Sequence, residues 1–151
     1  MLQIGFDTVF EIQNLVARFA NSFDLKQWDV LASCLAEQIY TDYSELRGTP
    51  PQTMSRADYV SLRQQALNDL RTHHLAGNLE FIAATETQVS LHLSMQIYRK
   101  AGDGKVFDTH CLYKLELIKA GSAWQIASIV QKVFWSDGQA QIHAGVNKAL
   151  E

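Results

Sequence analysis

The chain has 151 residues, 47% of them apolar and 19% charged, with a formal net charge of −3 at pH 7. That length suits a single domain over 1–151 with a sizeable core, and a mildly acidic chain without a Lys/Arg-rich segment carries no footprint for nucleic acid. No apolar run approaches the roughly 18 residues of a membrane span, and Met1-Leu2-Gln3-Ile4-Gly5 lacks the charged region and long apolar run of a signal peptide, so a cytoplasmic protein that meets no membrane is expected.

Val9, Ile12, Val16, Phe19 and Phe23 recur every three or four residues and predict a first helix over 6–23, with Phe10 and Leu15 widening its apolar face. A shorter helix is expected over 27–35, with Trp28, Leu31 and Leu35 inward, then a short strand near 38–43. Arg47-Gly48-Thr49-Pro50-Pro51 holds both prolines and reads as a loop. Ser55, with Asp58 three residues later, resembles a capping box and opens a third helix whose apolar face is Tyr59, Leu62, Ala66 and Leu70.

Beyond the third helix the period changes to two. A strand is expected over 72–84, followed by Val89, Leu91, Leu93, Met95 and Ile97 alternating with polar residues. Turns at Ala101-Gly102-Asp103-Gly104 and at 119–122 lead into strands over 106–118 and 123–134. Helices followed by an antiparallel meander make an α+β fold. The tail after Asp137-Gly138 reads as a short helix, with Ile142, Val146 and Leu150 on one face, or as a disordered end. Cys34 and Cys111 have no metal-like spacing; buried free thiols are expected, with a disulfide between them the alternative.

Two motifs carry chemistry. Phe23-Asp24-Leu25-Lys26-Gln27-Trp28-Asp29 closes the first helix, and Thr72-His73-His74-Leu75-Ala76-Gly77-Asn78 opens the run of strands. An acid and a histidine are the minimum parts of a base pair: the carboxylate holds one ring nitrogen and the other takes a proton. Together with Asp42-Tyr43-Ser44, Tyr113 and Gly121-Ser122-Ala123-Trp124-Gln125-Ile126, these motifs resemble the SnoaL-like branch of the NTF2-like superfamily over roughly 6–138, with scytalone dehydratase and hexachlorocyclohexane dehydrochlorinase close in pattern.

The resemblance implies a cone in which three N-terminal helices pack in the concave face of a curved, mainly antiparallel sheet. It also implies that Asp24 orients His74 as general base and that Tyr43 is the third catalytic residue, polarising the substrate. A tyrosine of the dehydratase stands where this chain has Phe23, which removes a hydroxyl donor, and Tyr113 replaces an asparagine. From residue types alone the plainer reading, a helix-boundary Asp24 and a core His74, is the stronger; the matching motifs reverse that order. Simple alternation groups His73 with inward Leu75, Leu79 and Phe81, whereas the resemblance turns His74 inward, with Gly77 marking a bulge that changes the phase.

Phe23, Met54, Tyr59, Tyr113 and Trp135 are the expected substrate-binding residues, with Met54 and Tyr59 forming a lid and Trp135 closing the mouth of the cone. His92 and His110 fall on polar strand positions and are expected at the surface or in a dimer interface. The expected function is a cofactor-free lyase or isomerase, dehydratase-like or cyclase-like, that removes a proton from a small apolar cyclic or polyketide-like substrate. No metal site or nucleotide fingerprint is visible, and a homodimer is expected. The alternatives are a non-catalytic small-molecule-binding domain and a structural β subunit of an aromatic-ring dioxygenase.

Overall fold

The computed structural model describes residues 3–146. In chain order they form α1 (Phe6–Asp24), α2 (Trp28–Ser33), β1 (Leu35–Asp42), α3 (Ser44–Arg47), β2 (Gln52–Ser55), α4 (Arg56–Leu67), β3 (Arg71–Ala84), β4 (Gln88–Lys100), β5 (Val106–Ala120) and β6 (Ala123–Gly138), then a 3₁₀ turn at Ala140–Ile142. The six strands make one sheet in the order β2-β1-β6-β5-β4-β3. Only β1 and β6 pair in parallel. This is the α+β cone expected, with α1, α2 and α4 as its three principal helices.

The core follows the two periodicities. Ile12, Leu15, Val16, Phe19 and Phe23 form the buried stripe of α1, while Phe10 stays 58% exposed because it lies off that stripe. Val89, Leu91, Leu93, Met95 and Ile97 of β4 face Leu117, Leu115, Tyr113, Cys111 and Thr109 of β5 across the register, all of them buried. Both cysteines are buried free thiols.

The stretch expected to be loop holds two further elements. Asp42 accepts from the Ser44 backbone N–H, and Gly48, at φ 70°, ends the four-residue α3 in the left-handed conformation that glycine adopts freely. Glu45 of α3 accepts hydrogen bonds from the Val133 backbone N–H and from Lys132, which ties α3 to β6. Beyond Pro50-Pro51, β2 pairs antiparallel with β1. Ser55 caps α4 as expected by accepting from the Asp58 backbone N–H. The buried face of α4, however, is Tyr59, Arg63, Ala66 and Leu67, and Leu62 is 43% exposed. At the tail, Val146 is buried beside the 3₁₀ turn, and Leu150 lies outside the described residues.

Register shifts interrupt several strand pairs, and two of them decide what faces the site. Between Gly77 and Glu80 of β3, three steps oppose two on β4, with Asn78 at φ 47°. The extra residue reverses the phase of the strand. His74 therefore shares its face with Ile97 although Leu79 and Phe81, at odd spacing from it, also point toward the core. In β6, Cys111 pairs with Val133 but His110 pairs with Trp135, so Phe134 is the extra residue.

The β3 bulge generates a stability test. Asn tolerates the left-handed region, glycine more so, and a β-branched residue resists it. Asn78→Gly is expected to fold with unchanged or slightly raised stability, and Asn78→Val to lose about 1–2 kcal/mol in denaturant titration despite the strand propensity of valine. Equal stability of the two variants would contradict a bulge held at Asn78.

Candidate active site

Asp24 is the last residue of α1, and its carboxylate reaches the beginning of β3. Oδ2 accepts the backbone N–H of His74 at 2.7 Å. Oδ1 accepts the Thr72 hydroxyl at 2.9 Å and meets Nδ1 of His74 at 2.6 Å. A carboxylate only accepts, so Nδ1 carries the proton and Nε2 is left with its lone pair. Phe23, one residue earlier on α1, stacks on the imidazole with centroids 4.8 Å apart and planes at 22°. The ring is thus held in its plane by Phe23 and in its tautomer by Asp24.

The protonation states suit a base. Burial raises the Asp24 carboxyl, but hydrogen bonds and the attraction of His74, with help from Thr72, leave it below its ordinary 3.8. Burial lowers His74 below 6.5; Asp24 opposes this, while Arg99 and Lys26 add repulsion. Near neutral pH the pair is therefore carboxylate and neutral imidazole.

His74 lines a cavity with Phe23, Tyr43, Tyr59 and Tyr113. The Tyr43 and Tyr59 hydroxyls lie 2.8 Å apart, so one donates to the other and the accepting hydroxyl keeps its proton for a further partner. Tyr113 packs edge-on against Tyr43, with centroids 6.4 Å apart. Burial is the first cause that raises Tyr59 and Tyr113 well above 10, so both remain protonated donors. The cavity has about 20 Å³ of free space, room for about one water. Leu46 of α3 packs with Phe107, Ala140 and Val146 in a satellite cluster beside it.

Two expected residues lie elsewhere. Trp135 is 55% exposed and stacks on His110 at 4.3 Å on the outer face. The bulge at Phe134 takes it out of phase with Gln131, which does line the cavity. Met54 packs against the main core from β2 and is not among the lining residues, so of the expected lid only Tyr59 reaches the cavity. His73 is exposed and tilts against Tyr98, and His92 lies 3.8 Å from Glu80.

The cavity also contains residues that were not anticipated: Arg47, Arg63, Arg99, Gln131 and His143. Three of them were in phase with visible patterns. Arg99 continues the inward series of β4 by one step, Arg63 stands four residues after Tyr59 on α4, and Gln131 follows Ile129 by two on β6. Charge and polarity disguised positions that spacing had marked as internal. Among the described residues no group of three or more His, Cys, Asp or Glu side chains is arranged to hold a metal ion. Nor is any described helix long and apolar enough to cross a membrane.

Comparison with known proteins agrees with this fold. Residues 7–130 match the model of the SnoaL-like domain family. The chain is 25% identical to the scytalone dehydratase-like protein claB of Passalora fulva, over 88% of this chain and 89% of that protein. Among solved structures, the Kfla4162 protein of Kribbella flavida superposes with a TM-score of 0.81 at 20% identity, covering 87% of this chain and 93% of its own. A type 2 hexachlorocyclohexane dehydrochlorinase, LinA, superposes with a TM-score of 0.76 at 16% identity, covering 91% and 92%.

The buried histidines generate a pH test. Burial and neighbouring arginines hold His143 far below 6.5, and His74 is lowered as well. Below about pH 6.5 the unfolded chain therefore binds more protons than the folded one, so stability falls as pH falls. The melting temperature is expected to drop between about pH 7.5 and 5, and to drop less in a His143→Gln variant. A melting temperature that holds or rises over that range would contradict neutral burial of these rings.

Proposed function

The chain belongs to the SnoaL-like domain family, and from that premise we propose that it is a lyase or isomerase of the dehydratase or cyclase kind, with His74 as the general base. The observation that carries this reading is the 2.6 Å contact of Asp24 with Nδ1 of a histidine whose ring forms part of a cavity wall. Nε2 takes a proton from a carbon next to a carbonyl or leaving group. Asp24 stabilises the imidazolium as it forms and keeps the ring from turning. Tyr43, sharing a proton chain with Tyr59, donates to the substrate oxygen on which charge develops. The proton on Nε2 is then returned to another carbon in an isomerisation, or to the leaving group in an elimination.

The apolar walls, Phe23, Leu67 and Ile97, fit a ring-bearing or polyketide-like substrate. A ligand of that size needs more room than about one water, so the cavity widens on binding. The scytalone dehydratase-like and dehydrochlorinase relatives support elimination chemistry as the class to test first.

The test is proton exchange. A panel of cyclic ketones is incubated with the protein in D₂O, and deuterium uptake next to the carbonyl is followed by NMR. The wild type is expected to accelerate uptake for at least one member of the panel. His74→Gln should lower that rate by roughly 10²–10⁴-fold, and Asp24→Asn should lower it as well. Undiminished exchange in a folded His74→Gln protein would contradict the assignment of the base.

A further inference from the structure

Three guanidinium groups share the cavity with His74: Arg47 from α3, Arg63 from α4 and Arg99 from β4. Arg63 and Arg99 are only 7% and 4% exposed. Among the described residues, no carboxylate lies within ion-pair distance of any of them. Asp24, the acid nearest the chemistry, is already taken up by Thr72 and by two groups of His74. Asp108, on the neighbouring strand, attracts Arg99 without pairing with it.

What these arginines do have is aromatic faces. Arg63 sits 5.1 Å from the Tyr43 ring and 5.2 Å from Tyr59, Arg47 is 5.6 Å from Tyr43, and Arg99 is 5.0 Å from Phe107. Arg99 also donates to the Thr109 hydroxyl at 2.9 Å. Contact with the ring faces seats the guanidiniums but leaves donors without partners among the described residues. Nε of Arg63, Nε of Arg99, and Nε and Nη2 of Arg47 are buried with no hydrogen-bond partner among the described residues. Near Arg47 the backbone itself gives way: Gly145, at φ 85°, stands where a Cβ would fall 2.7 Å from Nη1.

A packing role alone fits poorly. Gathering like charges in one buried space is unfavourable, and burial together with mutual repulsion lowers Arg47 and Arg99 to about 10, which still leaves both charged at neutral pH. Three guanidiniums lining one cavity, each with a donor that has no partner among the described residues, are complementary to a planar anion, which guanidinium binds through paired hydrogen bonds.

We propose that the ligand of this cavity is a small cyclic carboxylate, its anionic group held by Arg47, Arg63 and Arg99 and its ring against Phe23, Tyr43 and Tyr113. The proposal deepens the functional reading by naming the substrate class, and rests on that reading only in taking this cavity as the substrate site.

Binding, measured apart from turnover, tests it. Benzoate and its neutral isostere benzamide are titrated into the full chain by calorimetry. Benzoate is expected to bind at least about tenfold more tightly, and His74→Gln, which spares the arginines, should keep that preference. Arg63→Gln and Arg99→Gln should reduce it by about tenfold or more. Because a buried substitution can unfold the chain, Arg47→Gln, at the half-buried last position of the four-residue α3, serves as the second variant and should weaken benzoate but not benzamide. Equal affinity for the two probes, no binding of either, or benzoate affinity unchanged in all three folded arginine variants would overturn the proposal. Inorganic phosphate binding in preference to benzoate would overturn the carboxylate assignment. None of these outcomes touches the proton-exchange result, so failure of the carboxylate and failure of the base are told apart.

Discussion

The Asp24 carboxylate joins the end of the first helix to the beginning of the first long strand through three short contacts, and the geometry of the cavity depends on that junction. The acceptance of a backbone N–H is as important as the contact with the ring. It sets how α1 meets β3, and so where Phe23 lies over the imidazole. Orientation, tautomer and charge of His74 thus have a common origin. A carboxylate used this way is also protected from protonation, since every partner it has favours the ionised form.

Strand phase is the second constraint. A sheet that wraps into a cone has to change which face of a strand looks inward, and here it does so with single extra residues. The bulge around Asn78 lets His74 point into the cavity at one end of β3 while Leu79 and Phe81 reach the core at the other. The bulge at Phe134 does the opposite for Trp135, turning a large aromatic outward to rest on His110. The cavity wall is therefore continued by Gln131 and closed on its far side by α3 and the segment after β6.

Most of the fold was legible because its two periods are clean. The α1 stripe and the alternation of β4 through β6 identify helix, strand and buried face with little interference. Elements of four residues, α3 and β2, were not, since their stability comes from partners distant in sequence: the hydrogen bonds from Lys132 and Val133 of β6 to Glu45 for the first, pairing with β1 for the second. The pair of Asp24 and His74 was legible only through resemblance. Plain alternation turns His73 inward, and a bulge cannot be located from a strand pattern when Gly77 and Asn78 are both tolerant of it. The arginines escaped for another reason. Arg99 and Arg63 stand at positions whose spacing is that of the core, but a charged side chain is rarely buried without a partner, and periodicity read on apolar residues passes over it.

In the proposed reading, His74 as neutral base, Tyr43 as phenolic donor and the arginine wall together serve to remove a proton beside a group that can spread negative charge. All of that chemistry depends on His74 being a bare Nε2 at neutral pH with its other nitrogen committed to Asp24. The direct measurement is ¹⁵N NMR of the His74 ring across a pH titration. Protonated Nδ1 and unprotonated Nε2 near neutrality, with a midpoint below 6.5, is the expected result. An Nε2–H tautomer, or an imidazolium at neutral pH, would contradict the account.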